Sequence, residues 1–78
     1  MVKINPRAPP LPEWARRIVN VRKNLDLSQT QLGQELQYSA MTVSRLERGL
    51  QEPTAGCYIR LAKLVDGRDR LHFLEWAG

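Results

Sequence analysis

The sequence predicts an all-α domain of five helices, and three observations support this fold class. Apolar residues recur at the three- and four-residue intervals of an amphipathic helix. Residues that favour the start or the end of a helix separate these segments and leave only short loops. No segment shows the alternating apolar and polar pattern of a half-buried strand. A chain of 78 residues suffices for one such domain with a single core.

Composition and charge narrow the classes of function. The net charge is +4, and six of the twelve Lys and Arg residues precede position 26, where Glu13 is the single acid. A basic end of this kind favours an anionic partner such as nucleic acid. One cysteine and one histidine exclude a disulfide framework and a zinc site of the usual kind, and they fit a reducing cytoplasm. No apolar run is long enough to span a membrane, so we expect no membrane partner.

The chain is expected to begin with a proline-rich basic arm over residues 1–11, followed by the helical domain over residues 12–78. Four of the five prolines lie in the first twelve residues and disfavour a helix there. The basic arm can contact DNA, although an unstructured terminus is the competing interpretation. Pro12 suits the first turn of a helix, and an apolar stripe then follows at helical spacing: Trp14, Ile18, Val21 and Leu25.

Two short helices follow, with a turn of only two residues between them. Ser28 is the expected cap of the second helix, over about residues 28–36. Ser39 is the expected cap of the third helix, over about residues 39–48, and Gly49 is its expected stop. The inward faces of the two helices are predicted to be Leu32 and Leu36, then Val43, Leu46 and Leu50.

The last two helices are predicted to complete the core and to expose an apolar surface. Thr54 caps the fourth helix, and Asp66-Gly67 ends it. The fifth helix, over about residues 69–77, is apolar nearly all round and cannot bury every side chain in one small core. A second copy of the chain is the expected cover, and a partner protein or a further segment is the alternative. The expected contacts are Leu71, Phe73, Leu74 and Trp76.

The turn between the second and third helices is the feature that indicates a function. A connection this short forces the two helices to cross steeply, and Gly33 allows their backbones to approach. The third helix is then left projecting, which is the geometry that fits the DNA major groove of about 12 Å. Its predicted outward face is polar and basic: Met41, Ser44, Arg45 and Arg48.

Three motifs carry a resemblance to a known family. They are LSQTQLGQ at residues 27–34, VSRLERG at residues 43–49, and Pro53. Together they resemble Cro/repressor-type helix-turn-helix domains, the xenobiotic-response-element family, over residues 21–65. The resemblance implies a compact five-helix, lambda-repressor-like fold that binds double-stranded DNA, usually as a homodimer on inverted repeats.

The resemblance also implies roles for individual positions. Gln29 and Gln34 match glutamines that contact phosphate or the flank of the DNA site. Arg22 and Glu47 match a structural ion pair between the first helix and the end of the third. Gln37 departs from the family, because this turn position is often glycine. The positions that match base-reading residues are Ser39, Ala40, Met41, Ser44 and Arg45.

The chemistry of the same side chains leads to a compatible assignment. Arg45 is the best base reader, because its planar guanidinium can pair with O6 and N7 of guanine. Ala40 and Met41 can contact a thymine methyl group, whereas Ser39 and Ser44 reach base or phosphate with little discrimination. Without the turn geometry, the arginines would form an ordinary solvated face. The residues expected to hold phosphates are Arg48, Arg16 and Arg17.

These observations predict a sequence-specific DNA-binding transcriptional regulator, a repressor in the cytoplasm that acts as a homodimer. The alternative is an antitoxin or adaptor whose C-terminal helix covers a partner protein such as a toxin. We expect neither an enzyme nor a bound cofactor or metal, because the sequence contains no nucleophile–base pair, metal cluster or phosphate loop.

Overall fold

The computed structural model describes residues 10–78, so the first nine residues of the predicted basic arm, with Lys3 and Arg7, lie outside the described residues. Residues 10–78 contain helices and no strand, which confirms the all-α fold class. None of these helices has the length and apolar character needed to cross a membrane. The five helices are α1 (Glu13–Asn24), α2 (Gln29–Leu36), α3 (Ala40–Glu47), α4 (Ala55–Leu64) and α5 (Gly67–Ala77).

Side-chain caps begin α2, α3 and α4. The hydroxyl oxygen of Ser28 accepts a hydrogen bond from the Gln31 N–H at 3.0 Å. The Gln31 side-chain oxygen in turn accepts from the Ser28 N–H at 2.8 Å, which completes a capping box. Ser39 and Thr54 cap α3 and α4 through their own hydroxyl groups. These bonds satisfy N–H groups of the first helical turn that have no partner inside the helix.

All five helices contribute to one apolar core: Ile18, Val21, Leu32, Leu36, Val43, Leu46, Cys57, Tyr58, Leu61, Ala62 and Phe73. Two residues of the predicted stripes, Leu25 and Leu50, are exposed instead. Both follow the last turn of a helix, where the 3.6-residue period no longer applies. Burial raises the pKa of the Cys57 thiol to about 11, so this thiol stays protonated at neutral pH.

The fifth helix differs from its prediction. It begins at Gly67, which was expected to end the helix before it. Phe73, one of the predicted dimer contacts, is fully buried in the core, so a second copy that packs on the outside of this fold would not reach it. The Trp76 ring also packs inside the chain, with its centroid 5.7 Å from that of Tyr58. Only one side of α5 therefore faces solvent with apolar residues, those at Leu71 and Leu74.

The close approach of α2 and α3 depends on Gly33. A Cβ atom at this position would lie 2.5 Å from the carbonyl oxygen of Tyr38. The Gly33 carbonyl also accepts a hydrogen bond from the Tyr38 N–H at 2.7 Å, which closes the turn between the same two residues. Any larger residue would push the start of α3 away from α2.

The turn itself contains a non-glycine residue in the left-handed region. Gln37 has φ 63° and ψ 40°, and its N–H and that of Tyr38 bond back to carbonyls of α2 in a Schellman motif. The Gln37 side-chain oxygen accepts a hydrogen bond from Arg60 of α4 at 3.1 Å. Asp26, which follows α1, is also left-handed, with φ 56°.

Arg22 of α1 and Glu47, the last residue of α3, form a bidentate ion pair. The Arg22 Nε donates to Glu47 Oε2 at 2.6 Å, and a terminal nitrogen donates to Oε1 at 3.1 Å. A third donor of Arg22 bonds the Leu27 carbonyl at 3.1 Å. The hydrogen bonding to Glu47 raises the pKa of Arg22. Within residues 10–78, Glu47 is the only buried charged residue, and this pair attaches the end of α3 to α1.

We predict that Gln37→Gly leaves the free energy of unfolding unchanged or raises it by about 1 kcal/mol in urea titrations. Relief of the left-handed conformation, about 1–2 kcal/mol, is partly offset by the greater freedom of glycine in the unfolded chain. Gln37→Ala is the matched control, because it removes the Arg60 bond and retains the backbone strain. A loss of more than about 1 kcal/mol in Gln37→Gly would contradict this account of the turn.

We predict that Glu47→Met lowers the free energy of unfolding by about 3 kcal/mol, because Arg22 is left without its counter-ion. This value is at the lower end for buried pairs, since the Arg22 side chain is 18% exposed. Arg22→Met with Glu47→Met leaves no unpaired charge and should lose less than the sum of the two single changes. Additive losses in the four urea titrations of this cycle would argue against coupling between the two residues.

Candidate DNA-binding surface

The outward side of α3, with the residue that follows the helix, presents four residues at helical spacing, which we call the recognition face: Met41, Ser44, Arg45 and Arg48. Val43, Leu46 and Glu47 occupy the opposite side and are buried. The Met41 side chain is 62% exposed, so it is available for an apolar contact. The local helical period therefore separates a face that holds α3 in place from a face that is open to contact.

The two arginines of the recognition face differ in how much they are engaged. Arg45 is exposed, and within residues 10–78 its side chain makes no hydrogen bond or ion pair. Arg48 follows the helix, and its Nε donates to the Ser44 carbonyl at 3.3 Å. The terminal nitrogens of Arg48 remain available. Arg45 can thus offer its whole guanidinium to an external acceptor.

The first residues of α3 have less freedom. The Ser39 hydroxyl accepts from the Thr42 N–H at 3.1 Å and lies 3.1 Å from the Thr42 hydroxyl. Ser39 is exposed, but its side chain already serves as the helix cap, so little of its hydrogen-bonding capacity is left for a base. Ala40 is half-buried beside it and presents only a methyl group.

The two glutamines of α2 are placed differently. Gln29 is half-buried, and its side-chain nitrogen donates to Glu47 Oε1 at 3.1 Å. This bond uses one of the two amide hydrogens and connects Gln29, through Glu47, with Arg22. Gln34 is exposed and makes no side-chain hydrogen bond within the described residues. Gln29 is therefore a pre-oriented donor, whereas Gln34 is a free one.

The neighbouring arginines of α1, Arg16 and Arg17, also differ in their contacts. Arg16 is exposed and has no polar partner among residues 10–78. Arg17 instead bonds Asp69 of α5 at 3.0 Å and Glu13 at 3.5 Å, and its guanidinium lies 5.8 Å from the Trp76 ring centroid. These contacts attach α1 to α5, and the assignment of Arg17 to a DNA phosphate stays a prediction.

Arg60 of α4 is a residue that the sequence did not single out. It is half-buried, and its bond to Gln37 brings a positive charge to the turn between α2 and α3. The two residues are 23 positions apart, so neither helical spacing nor a local motif could have indicated the contact. Arg60 therefore adds a cation to the edge of the candidate surface.

The helix-turn-helix arrangement of α2 and α3 agrees with a comparison of this chain with known protein families. A family described as a helix-turn-helix domain matches residues 13–72, from the start of α1 into α5. No curated protein and no solved structure gives a significant match. The family match covers more than half of the chain and is consistent with the Cro/repressor-type resemblance in the motifs. The chain therefore belongs to the helix-turn-helix domain family of DNA-binding domains.

Proposed function

We propose that this chain is a transcriptional repressor that reads a specific double-stranded DNA site by placing α3 in the major groove. The observation that carries this proposal is the exposed, unengaged Arg45 on a helix whose other side is fixed by Glu47. Specific recognition needs both features, because a base contact discriminates only when its donor is held in register with the groove.

The contacts in this proposal follow from the placement of each side chain. Arg45 pairs with a guanine, and Met41 and Ala40 contact thymine methyl groups. Ser44 supplies a weaker polar contact, and Ser39 contributes mainly as the cap that orients the first turn. The residues that hold phosphates are Gln29, Gln34, Arg48 and Arg16, and Arg60 supports them from the turn.

A homodimer fits the apolar surface formed by α4 and α5. Leu71, Leu74 and Ile59 are exposed there, and we call them the α4–α5 patch. Ile59 and Leu74 line a groove of about 340 Å³ together with Ala62, Lys63 and Arg70. We propose that a second copy covers this patch, so that two α3 helices read half-sites about 34 Å apart on an inverted repeat.

The same patch supports a second candidate function, an antitoxin or adaptor that binds a partner protein through α5. In that case a foreign chain, and not a second copy, would cover Leu71 and Leu74. The two functions make different predictions for the isolated chain. A regulator of the proposed kind is a dimer alone, whereas an adaptor without its partner is a monomer with an exposed apolar surface.

We predict that Arg45→Ala weakens binding to the preferred duplex by about 1–3 kcal/mol and reduces the preference over random DNA. The duplex is first selected from random sequences by the unmodified protein, and affinities are then measured by fluorescence anisotropy at fixed salt. Arg68→Ala is the matched control, because Arg68 is exposed on α5 and distant in sequence from α3. If Arg45→Ala lost the same affinity for selected and random DNA, Arg45 would contact phosphate and read no base.

We predict that the unmodified chain sediments as a dimer and that Leu74→Glu converts it to a folded monomer with weaker DNA binding. A charge placed in the patch must be desolvated if a second copy covers it. Leu50→Glu is the control for the sedimentation measurement, because Leu50 is 67% exposed and lies outside the patch; it is no control for DNA binding, since Leu50 is close in sequence to Arg48. A monomeric unmodified chain at micromolar concentration would favour the adaptor, and a dimeric Leu74→Glu variant would place the interface elsewhere.

A further inference from the structure

A pocket of about 290 Å³ lies apart from the recognition face and the α4–α5 patch, and the proposed function does not use it. It is formed by α1, the loop that follows α3, α4 and α5. The lining residues, which we call the aromatic pocket, are Trp14, Glu52, Pro53, Tyr58 and Trp76. This volume is near the lower end for small-molecule sites, so any occupant must be compact.

Three aromatic rings line this pocket, and they include both tryptophans of the chain. The Tyr58 and Trp76 rings pack against each other, tilted by 56° with centroids 5.7 Å apart, and because Tyr58 is only 8% exposed the open aromatic surface belongs mainly to the tryptophans. An aromatic face is electron-rich and attracts a cation within about 6 Å of its centroid. Trp76 already shows this behaviour inside the chain, since the Arg17 guanidinium lies 5.8 Å from its ring.

The charge around the pocket favours a cation as well. Glu52 is exposed and, within residues 10–78, forms no hydrogen bond or ion pair. Tyr58 lines the same pocket as Glu52, and the pKa of Tyr58 is raised by burial and, to a smaller extent, by the Glu52 charge. The positive charge of Arg17 is balanced by Asp69 and Glu13. The unmatched charge at the pocket is therefore the Glu52 carboxylate.

We propose that the aromatic pocket binds a compact organic cation of the quaternary or alkylated ammonium class. Alkylated ammonium ions are weakly hydrated, so aromatic walls can replace their water at small cost, and the carboxylate supplies the opposite charge. A primary ammonium or a metal ion would lose more hydration than one carboxylate restores. The site stands apart from DNA recognition and does not depend on the proposed function.

Tetramethylammonium chloride is the probe, titrated into the full chain at constant ionic strength with sodium chloride as the replacement salt. Because both tryptophans line the pocket, their fluorescence and the two indole N–H signals in NMR report occupancy directly. We expect a saturable change in both. The neutral alcohol 3,3-dimethylbutan-1-ol has a similar shape without the charge, and it should bind at least about threefold more weakly.

Two variants that each remove one negative charge test whether tetramethylammonium binds at the aromatic pocket. Glu52→Gln should weaken tetramethylammonium binding about threefold or more, because it removes the carboxylate without changing the aromatic walls. Glu35→Gln, at an exposed position of α2 outside the pocket, should leave binding unchanged. Circular dichroism checks that both variants remain folded. The proposal is overturned by an absent or non-saturable response, by equal binding of the neutral alcohol, or by equal effects of the two variants.

Discussion

The buried carboxylate of Glu47 is the constraint on which the position of α3 depends. A charge that is 6% exposed is tolerated only when its oxygens are paired, and Arg22 and Gln29 together supply three donors to them. One side chain thus connects α1, α2 and α3 at the end of α3. Gly33 fixes the other end through its contact with Tyr38, so α3 is held at both ends while its outward face stays free.

The features that were predictable from sequence are those fixed by a few neighbouring residues. Capping by Ser28 and Ser39 depends on positions three apart, and the outward placement of Arg45 depends on the period of one helix. Which side of α5 faces the core was not predictable in this way. Because that helix is apolar nearly all round, only its packing on α4 decides that Phe73 faces the core and that Leu71 does not.

Contacts between distant segments account for the other differences. Arg16 and Arg17 have the same chemistry and adjacent positions, yet only Arg17 forms an ion pair with Asp69, which lies 52 residues away in sequence. Local sequence cannot show which of two neighbouring arginines will meet such a partner. The bond between Arg60 and Gln37 also joins segments that are distant in sequence. It lies at the left-handed turn position where the family resemblance often has glycine.

Two features with a local energetic cost lie next to α3 and orient it. A buried ion pair is a modest source of net stability, and a left-handed glutamine costs about 1–2 kcal/mol relative to an unstrained residue. Glu47 is the last residue of α3, and Gln37 lies in the turn that leads into the same helix. A base contact by Arg45 gains specificity from a helix that is held before binding, since less conformational freedom is then lost on DNA. The strained turn and the buried charge are therefore best understood as the conditions under which an eight-residue helix can present Arg45 in a fixed direction.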